Sequence, residues 1–236
     1  MNPRRTGPLV DPAELPDWLR GLVERSADLD PGHFGWPREN PPVEARPAAV
    51  LVLFGEGVDG PDVLLLRRAD GLSSHPGQVA FPGGSLDDVD RGPVDAALRE
   101  AVEEVGLRPE GVRPVATLPE LHVAHSGFRV TPVLAHWAEP SPVSPVDLGE
   151  TAAVARVPIS WLTDPANRLR VELTGRHASP AFLVPGMLVW GFTGGLLSGL
   201  LDLAGWSRRW NRADVRELDE AWRAAEEAED IGFGRS

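Results

Sequence analysis

The sequence predicts an α/β fold built on a mixed β-sheet, and three observations support this prediction. Two short apolar runs, residues 48–54 and 63–67, are separated by a turn rich in Gly and predict a β-hairpin. Residues 93–105 predict a helix, because Pro93 suits a first turn and Gly106 suits the left-handed position after a helix end. With 236 residues, 42% of them hydrophobic, the chain is long enough for one sizeable core with extensions.

The other elements follow from periodicity and turn chemistry. Residues 12–27 place apolar side chains at helical spacing from Leu15 to Val23 and predict an amphipathic helix that packs on the main body, followed by a linker at residues 28–42. Pro132 predicts an edge or a bulge in its strand. Further strands are predicted over residues 112–118, 126–134, 153–157, 168–173 and 181–184, and further helices over residues 159–162, 187–203 and 213–229.

The composition excludes several kinds of chemistry. Because the chain has no Cys, a disulfide, a thiol nucleophile and a Cys-ligated zinc are all excluded. All 23 basic residues are Arg, which excludes a Schiff-base lysine but suits bidentate phosphate binding. The formal net charge of -12 argues against nucleic-acid and anionic-membrane partners, and no apolar run near the start predicts a signal peptide. We therefore expect a cytoplasmic location and a small-molecule ligand.

One segment requires a test for membrane insertion. Residues 182–201 contain no charged side chain over a length that would span a bilayer. Pro185 and five glycines interrupt this segment, and the sequence offers no second candidate span. We therefore expect a buried or partner-facing helix here and no membrane partner.

Three glutamates on the predicted helix form the first candidate site. Glu103 and Glu104 follow Glu100 by three and four positions, so the three carboxylates share one helix face. Like charges at this spacing repel by roughly 0.2–0.5 kcal/mol per pair, and the neighbouring Arg99 cannot neutralise all three. Hard divalent cations take oxygen ligands, so the cluster predicts a Mg²⁺ or Mn²⁺ site. The alternative is a solvated, glutamate-rich helix face.

The residues around these glutamates narrow the choice. A Gly-Gly turn at residues 83–84 leads through an acidic loop into residues 99–107, which read REAVEEVGL. This stretch resembles the Nudix hydrolase signature G-x5-E-x7-R-E-U-x-E-E-x-G-U, in which U is aliphatic. Asp90 stands where the family has its first Glu, and eight residues instead of seven separate it from Arg99. That extension is typical of one subgroup, the coenzyme A pyrophosphatases.

The loop before the Gly-Gly turn carries a second pattern. Residues 64–69 (LLLRRA) and 75–84 (HPGQVAFPGG) are similar to the motif L-L-T-x-R-[S/A]-x3-R-x3-G-x3-F-P-G-G of that subgroup. Ser73 stands where the motif has its second Arg, which removes charge-assisted hydrogen bonds worth roughly 1.5–3 kcal/mol to a phosphate. Arg67 is the residue that would compensate, although on a strand it should face away from Arg68. Residues 126–133 and 189–193 also resemble this subgroup. For Arg67 and Arg68, the alternative interpretation is a solvated strand end.

The resemblance implies an α/β/α sandwich with three segments: an N-terminal helix and linker at residues 1–44, a Nudix hydrolase domain at residues 45–206 and an acidic C-terminal helix at residues 207–236. It implies Mg²⁺- or Mn²⁺-dependent cleavage of coenzyme A or acyl-coenzyme A to 3′,5′-ADP and (acyl-)4′-phosphopantetheine. The metal ligands it implies are Glu100, Glu103, Glu104 and the Gly84 carbonyl. The substrate-binding residues it implies are Arg67, Arg68, Phe81 and Gly83. The catalytic residues it implies are Arg99, which orients the glutamates, and either Glu104 or Glu150 as general base.

The sequence is compatible with several alternatives. A Nudix enzyme for ADP-ribose, NADH or an oxidised nucleotide would share the three glutamates, whereas a Nudix-fold ligand sensor would usually have lost one of them. A purely structural protein would leave the cluster unexplained. His122 and His125 are three positions apart on an extended chain and face opposite ways, so a joint metal site is not expected. The sequence also leaves open whether the C-terminal helices form a homodimer.

Overall fold

The computed structural model describes residues 6–37, 42, 44–124, 126–173 and 178–228. In chain order the strands are β1 (Gly7–Pro8), β2 (Arg46–Gly57), β3 (Gly60–Arg68), β4 (Val79–Ala80), β5 (Gly83–Ser85), β6 (Val112–Thr117), β7 (Leu121–Val123), β8 (Phe128–Trp137), β9 (Thr151–Pro158), β10 (Arg168–Glu172), β11 (Ser179–Val184), β12 (Met187–Val189) and β13 (Val215–Glu217). The α-helices are α1 (Asp17–Arg25), α2 (Pro93–Val105), α3 (Ile159–Thr163), α4 (Gly191–Ala204) and α5 (Leu218–Glu227).

Nine strands form one mixed sheet along the path β1-β6-β8-β2-β3-β4, with β5, β7 and β9 paired to β2, β8 and β3. Only β2 and β8 pair in parallel among these described strands. Alternate side chains of β2 enter different clusters: Ala49 and Leu51 pack with α2, while Val52 and Phe54 pack with α1 and α4. The sheet is therefore covered on both faces, and the predicted α/β/α sandwich is confirmed.

The predicted hairpin and the predicted glutamate helix are both confirmed. β2 and β3 pair antiparallel, with Phe54 opposite Val63, and the turn between them is shorter than predicted because both strands extend towards it. α2 begins at Pro93 and ends before Gly106, whose φ of 66° is the left-handed conformation that suits glycine. Its small apolar face, which includes Ala97 and Ala101, is fully buried against the sheet.

The N-terminal helix packs on the main body as predicted. Pro16 divides it into a single 3₁₀ turn and α1, which buries Leu19, Leu22 and Val23 completely. The segment predicted as a linker is partly packed as well. Within it, Phe34 is buried and Trp36 contacts Phe192 edge-on, with ring centroids 5.5 Å apart; residues 38–41 of the segment lie outside the described residues.

The prediction of a strand edge at Pro132 is wrong, and the bulge in this strand's pairing lies nearby, where the β6–β8 register shifts between Pro114 and Ala116 of β6. β8 is central, with β2 on one side and β6 and β7 on the other. β6 pairs with residues 133–137 of β8 and β7 with residues 128–130, so Pro132 lies between these two partners. On that side the Pro132 carbonyl accepts a hydrogen bond from Leu118 N–H at 2.9 Å. A strand residue directs its N–H and C=O to the same side. The N–H that Pro132 lacks would therefore point into the gap between β6 and β7, where no described strand needs it.

The C-terminal third of the chain differs most from the prediction. Residues 187–189, expected to begin a helix, form β12 beside β11, and α4 starts only at Gly191. β13 pairs in parallel with β10, so Val215 lies on a strand and not on the helical stripe predicted for residues 213–229. The predicted β10–β11 hairpin is confirmed, although its connection at residues 174–177 lies outside the described residues. No helix within the described ranges combines the length and apolar character needed to cross a bilayer.

Candidate active site

A cavity of about 350 Å³ opens beside the Gly-Gly turn that precedes α2. Gly83, Gly84 and Arg68 line one part of it, and Phe128 and Trp190 line another. The first group comes from β5 and the end of β3, whereas Phe128 begins β8 and Trp190 precedes α4. The cavity therefore joins polar backbone and one cationic side chain to aromatic surface from the C-terminal half of the chain.

The Gly-Gly turn sits directly against two glutamates of α2. Gly83 N–H donates a hydrogen bond to Glu104 Oε2 at 3.0 Å. A Cβ atom on Gly84 would overlap the Glu100 carboxylate, and one on Gly83 would overlap the Ala49 backbone carbonyl. Both glycines are therefore required by close approach. They line the cavity, and the carboxylates of Glu100 and Glu104 lie directly behind them and are not among its described lining residues.

Arg99 organises the acidic side chains around the start of α2. Its Nε and Nη2 donate to the two carboxylate oxygens of Asp90 at 3.2 and 3.0 Å, and Nη2 also donates to the Ser85 carbonyl at 3.0 Å. Its Nη1 donates to Glu100 Oε1 and to Glu103 Oε2, both at 3.0 Å. All three guanidinium nitrogens of Arg99 thus donate hydrogen bonds to the protein.

The electrostatics of the two inward glutamates differ from those of an exposed carboxylate. Burial raises the pKa of Glu104 to about 7; the Gly83 N–H and the Arg68 charge oppose this rise, while the Glu100 and Glu150 charges add to it. Burial also raises the pKa of Glu100, and Arg99 opposes that shift. Desolvation and mutual repulsion thus disfavour the charged forms of both carboxylates, and a bound cation would stabilise those forms.

The donor set fits a hard divalent cation. The candidate donors are carboxylate and carbonyl oxygens. Because Gly84 has no Cβ, the Glu100 carboxylate can approach its backbone closely. Within the described residues, no three His, Asp or Glu side chains are already gathered to hold one metal ion. The contacts explain this: Arg99 holds Glu100 and Glu103, while Gly83 N–H holds Glu104. Mg²⁺ is typically held by one or two protein carboxylates together with substrate phosphates, so a set of three is not required.

The two neighbouring arginines have different surroundings. Arg68 lines the cavity, whereas Arg67 is not among the described residues that do. Arg67 Nη2 donates to Asp70 at 2.6 Å, and its guanidinium lies 5.9 Å from the Trp222 ring centroid on α5. The β3–β9 ladder shifts register between Arg67 and Arg68, at the point where their surroundings diverge. The surroundings of Arg67 therefore connect it to the C-terminal helix and not to this cavity.

Glu150 and Phe81 occupy contrasting positions. Glu150 is exposed in the turn before β9, and its backbone carbonyl accepts a hydrogen bond from Ala69 N–H at 2.8 Å. That contact fixes the turn beside the end of β3, close enough for the Glu150 charge to raise the pKa of Glu104. Phe81, at 2% exposure, packs into the core cluster that contains α1 and α4. The structure thus brings Glu150 towards the glutamates and places Phe81 in the core beneath the loop.

Several residues of this region were not selected from the sequence. His75 and Gln78 line the cavity and are hydrogen-bonded to each other at 3.0 Å, and His75 adopts a φ of 54°, which is uncommon outside glycine. Phe128 lines the cavity with Arg46 stacked 4.1 Å above its ring centroid. The sequence did contain a signal for His75, Gln78 and Phe128, because they belong to segments that resemble the subgroup. Of the two histidines for which no joint metal site was expected, His122 lies in β7 and His125 lies outside the described residues.

Comparison with known proteins gives consistent family names. A family model described as "NUDIX domain" matches residues 44–180. A protein named "Uncharacterized Nudix hydrolase NudL" from Enterobacter sp. (strain 638) is 37% identical over 164 residues, which cover 66% of this chain and 81% of the relative. NudL of Cronobacter sakazakii is 43% identical over 121 residues, which cover 49% of this chain and 58% of that relative. The crystal structure of a Nudix hydrolase from M. smegmatis, RenU, aligns with a TM-score of 0.49 and 25% identity over 71% of this chain and 91% of that one.

Proposed function

The chain belongs to the Nudix family, and from this premise we propose that it hydrolyses the pyrophosphate bond of coenzyme A or acyl-coenzyme A. The products would be 3′,5′-ADP and (acyl-)4′-phosphopantetheine. The observation that carries the proposal is one cavity lined by Arg68, an aromatic wall and the Gly-Gly turn, with the glutamates of α2 in contact with the other side of that turn. The sequence similarity of residues 64–84 to the coenzyme A pyrophosphatase motif selects this substrate within the family.

The chemistry of the cavity supports a substrate with an anionic centre and large organic ends. Arg68 supplies a cation suited to a pyrophosphate oxygen. Phe128, Trp190 and Phe192 supply apolar and aromatic surface on which a nucleobase or a pantetheine chain can pack. Such a division suits a nucleoside diphosphate derivative better than a free sugar or a free phosphate.

Each acidic residue has a proposed role in the reaction. Glu100, Glu103 and Glu104, with the Gly84 carbonyl, would hold Mg²⁺ or Mn²⁺. The bound cation would neutralise charge on the pyrophosphate and lower the pKa of a coordinated water. Arg99 orients Glu100 and Glu103 through its two Nη1 hydrogen bonds and does not contact the substrate.

Two residues are candidates for the base that accepts a proton from the attacking water. In the metal-free protein, burial raises the pKa of Glu104 to about 7, and Glu150 lies on the adjacent turn. Because Glu104 is also a proposed metal ligand, the deciding variant is Glu150→Gln, for which the pH dependence of kcat is measured. Loss of the acidic limb of the profile identifies Glu150 as the base, whereas retention of that limb with a high kcat assigns the role to Glu104.

The direct test is to incubate the protein and Mg²⁺ separately with coenzyme A, ADP-ribose and NADH and to identify the products by mass. Release of 3′,5′-ADP from coenzyme A, with a much higher kcat/KM than for the other two, is the expected result. Preferential cleavage of ADP-ribose or NADH would overturn the substrate assignment and retain the Nudix chemistry. Absence of cleavage of all three would overturn the proposed activity.

One observation favours the second candidate, a Nudix pyrophosphatase for another nucleoside diphosphate derivative. Ser73 stands where the coenzyme A motif has an arginine, and Ser73 is exposed. Its neighbours Ser74 and His75 line the cavity, so the loop still faces the site but without that guanidinium. ADP-ribose and NADH have no 3′-phosphate for such a group to bind.

A further inference from the structure

A second cavity, of about 420 Å³, lies along the middle of α4. It shares none of its described lining residues with the candidate active site. Arg170 and Arg212 line it together with Trp210, Phe34 and Asp202. The two arginines come from β10 and from the segment before β13, so the second sheet and α4 form this cavity together.

A third arginine lies behind the wall of this cavity. Arg168 is only 2% exposed, and its guanidinium lies 4.6 Å from the Trp210 ring centroid. Its Nη2 donates at 2.8 Å to the Ser198 hydroxyl, and Ser198 itself lines the cavity. The buried Nε of Arg168 has no hydrogen-bond partner within the described chain. Burial and the Arg212 charge lower the pKa of Arg168 to about 10, and Asp202 opposes this shift.

The lining of this cavity is more basic than the chain as a whole. The chain carries 35 acidic and 23 basic residues, whereas the described lining has two arginines, Arg170 and Arg212, and one carboxylate. Arg168, Arg170 and Arg212 form no ion pair with any carboxylate among the described residues. Asp202 is the one acidic side chain among the described lining residues. Positive charge is therefore concentrated where an anion would have room to bind.

We propose that this second cavity binds a small organic phosphate. A guanidinium presents several N–H donors in a planar fork that matches phosphate oxygens. Arg170 has donors to spare, because within the described residues its side chain makes a single hydrogen bond, from Nη2 to the Ala178 carbonyl at 2.6 Å. Phe34, Pro180 and Trp210 give the same cavity apolar surface for the organic part of the ligand. This site is independent of the substrate proposed above, since its lining residues are different.

The test measures binding by isothermal titration calorimetry in EDTA, with ADP and inorganic phosphate as separate probes. We compare the unmodified protein with Arg212→Ala, which changes an exposed side chain of the cavity. Arg216→Ala is the matched control, since Arg216 is four positions away but is paired with Asp214 at 2.8 Å. Arg68→Ala reports any binding in the candidate active site.

The expected result is that Arg212→Ala weakens binding of at least one probe by about 10-fold or more, as loss of a charge-assisted hydrogen bond predicts. Arg216→Ala and Arg68→Ala should leave that binding unchanged. Tighter binding of ADP than of phosphate identifies an organic phosphate, whereas equal binding reduces the assignment to phosphate alone. Absence of binding at millimolar probe, or binding lost in Arg68→Ala and retained in Arg212→Ala, would overturn the proposal. Arg170→Ala provides a second variant if Arg212→Ala does not fold.

Discussion

Arg99 and Asp90 form a two-point ion pair, with Nε 3.2 Å from Oδ1 and Nη2 3.0 Å from Oδ2. The Asp90 side chain is 4% exposed, and this contact lowers its pKa. Arg99 in turn donates hydrogen bonds to Glu100 and Glu103. Asp90 therefore fixes the Arg99 guanidinium, which orients two candidate metal ligands. The acidic loop before α2 therefore contributes to the site through Arg99.

Asp90→Asn should weaken this arrangement while preserving the shape of the side chain. Loss of the charged acceptor should reduce the free energy of unfolding by about 1–3 kcal/mol and lower kcat/KM by about 10- to 100-fold, the range expected for a residue that orients metal ligands. Because the folded-state pKa of Asp90 is lowered, its contribution is present at neutral pH and is lost as the pH falls through that pKa. Urea denaturation at about pH 7 and about pH 2, with the exposed Asp88→Asn as control, measures it. Equal stability of both variants at neutral pH would contradict the assignment.

Glu104→Gln should stabilise the metal-free protein above neutral pH. The pKa of Glu104 is about 7 in the folded state, above its ordinary value of 4.5, so the folded state retains a proton that the unfolded state releases between these values. Stability of the unmodified protein therefore falls as the pH rises through this interval. The variant avoids this loss. Its free energy of unfolding should exceed that of the unmodified protein by up to about 3 kcal/mol at about pH 8 and by little at about pH 4. Thermal unfolding in EDTA measures the difference, and a variant with no advantage at high pH would contradict it.

Glu103→Gln should separate activity from stability. The Glu103 side chain is 56% exposed and is paired with Arg99, so the change should cost no more than about 1 kcal/mol of stability. If Glu103 is a metal ligand, kcat should fall by at least about 100-fold, because transition-state charge stabilisation by the cation is worth several kcal/mol. Steady-state kinetics across a Mg²⁺ titration, beside a melting curve, test both expectations. A fully active Glu103→Gln protein would sink the metal-site assignment.

Gly84→Ala should reduce the affinity for divalent cations. The added Cβ would overlap the Glu100 carboxylate, which must then move away from the turn. Gly71→Ala is the matched control, because a Cβ there meets no atom within 4 Å. We expect Mn²⁺ binding, followed by electron paramagnetic resonance, to weaken by about 10-fold or more in Gly84→Ala. Equal Mn²⁺ affinity in the two variants would show that the turn does not shape the metal site.

Ser73→Arg should raise kcat/KM for coenzyme A. An arginine at this position restores the motif and offers charge-assisted hydrogen bonds to the 3′-phosphate, so an increase of about 10-fold or more is expected. 3′-Dephospho-coenzyme A is the control substrate, because it lacks the phosphate and should gain little. Equal gains for both substrates would indicate a general charge effect and would contradict recognition of the 3′-phosphate by this loop.

The elements that position the glutamates were predictable because their signals are local. Pro93 and Gly106 bound α2 by their own backbone preferences, and the apolar runs of β2 and β3 each fit a single strand. The C-terminal elements were predicted less well because their state depends on distant partners. Val215 fits the periodicity of a helix, yet it pairs with Arg170 in a parallel ladder that no local pattern announces.

The sequence by itself determined the family, the α/β class and the presence of three glutamates on one helix, because these depend on residue types at fixed spacing. Only the tertiary structure decided which groups meet in space. It separated Arg68 from Arg67, bonded Glu104 to Gly83 N–H and brought Trp190 across to the Gly-Gly turn. Burial and the neighbouring charges that raise the pKa of Glu104 likewise arise from packing between segments far apart in the chain, which spacing along the sequence does not specify.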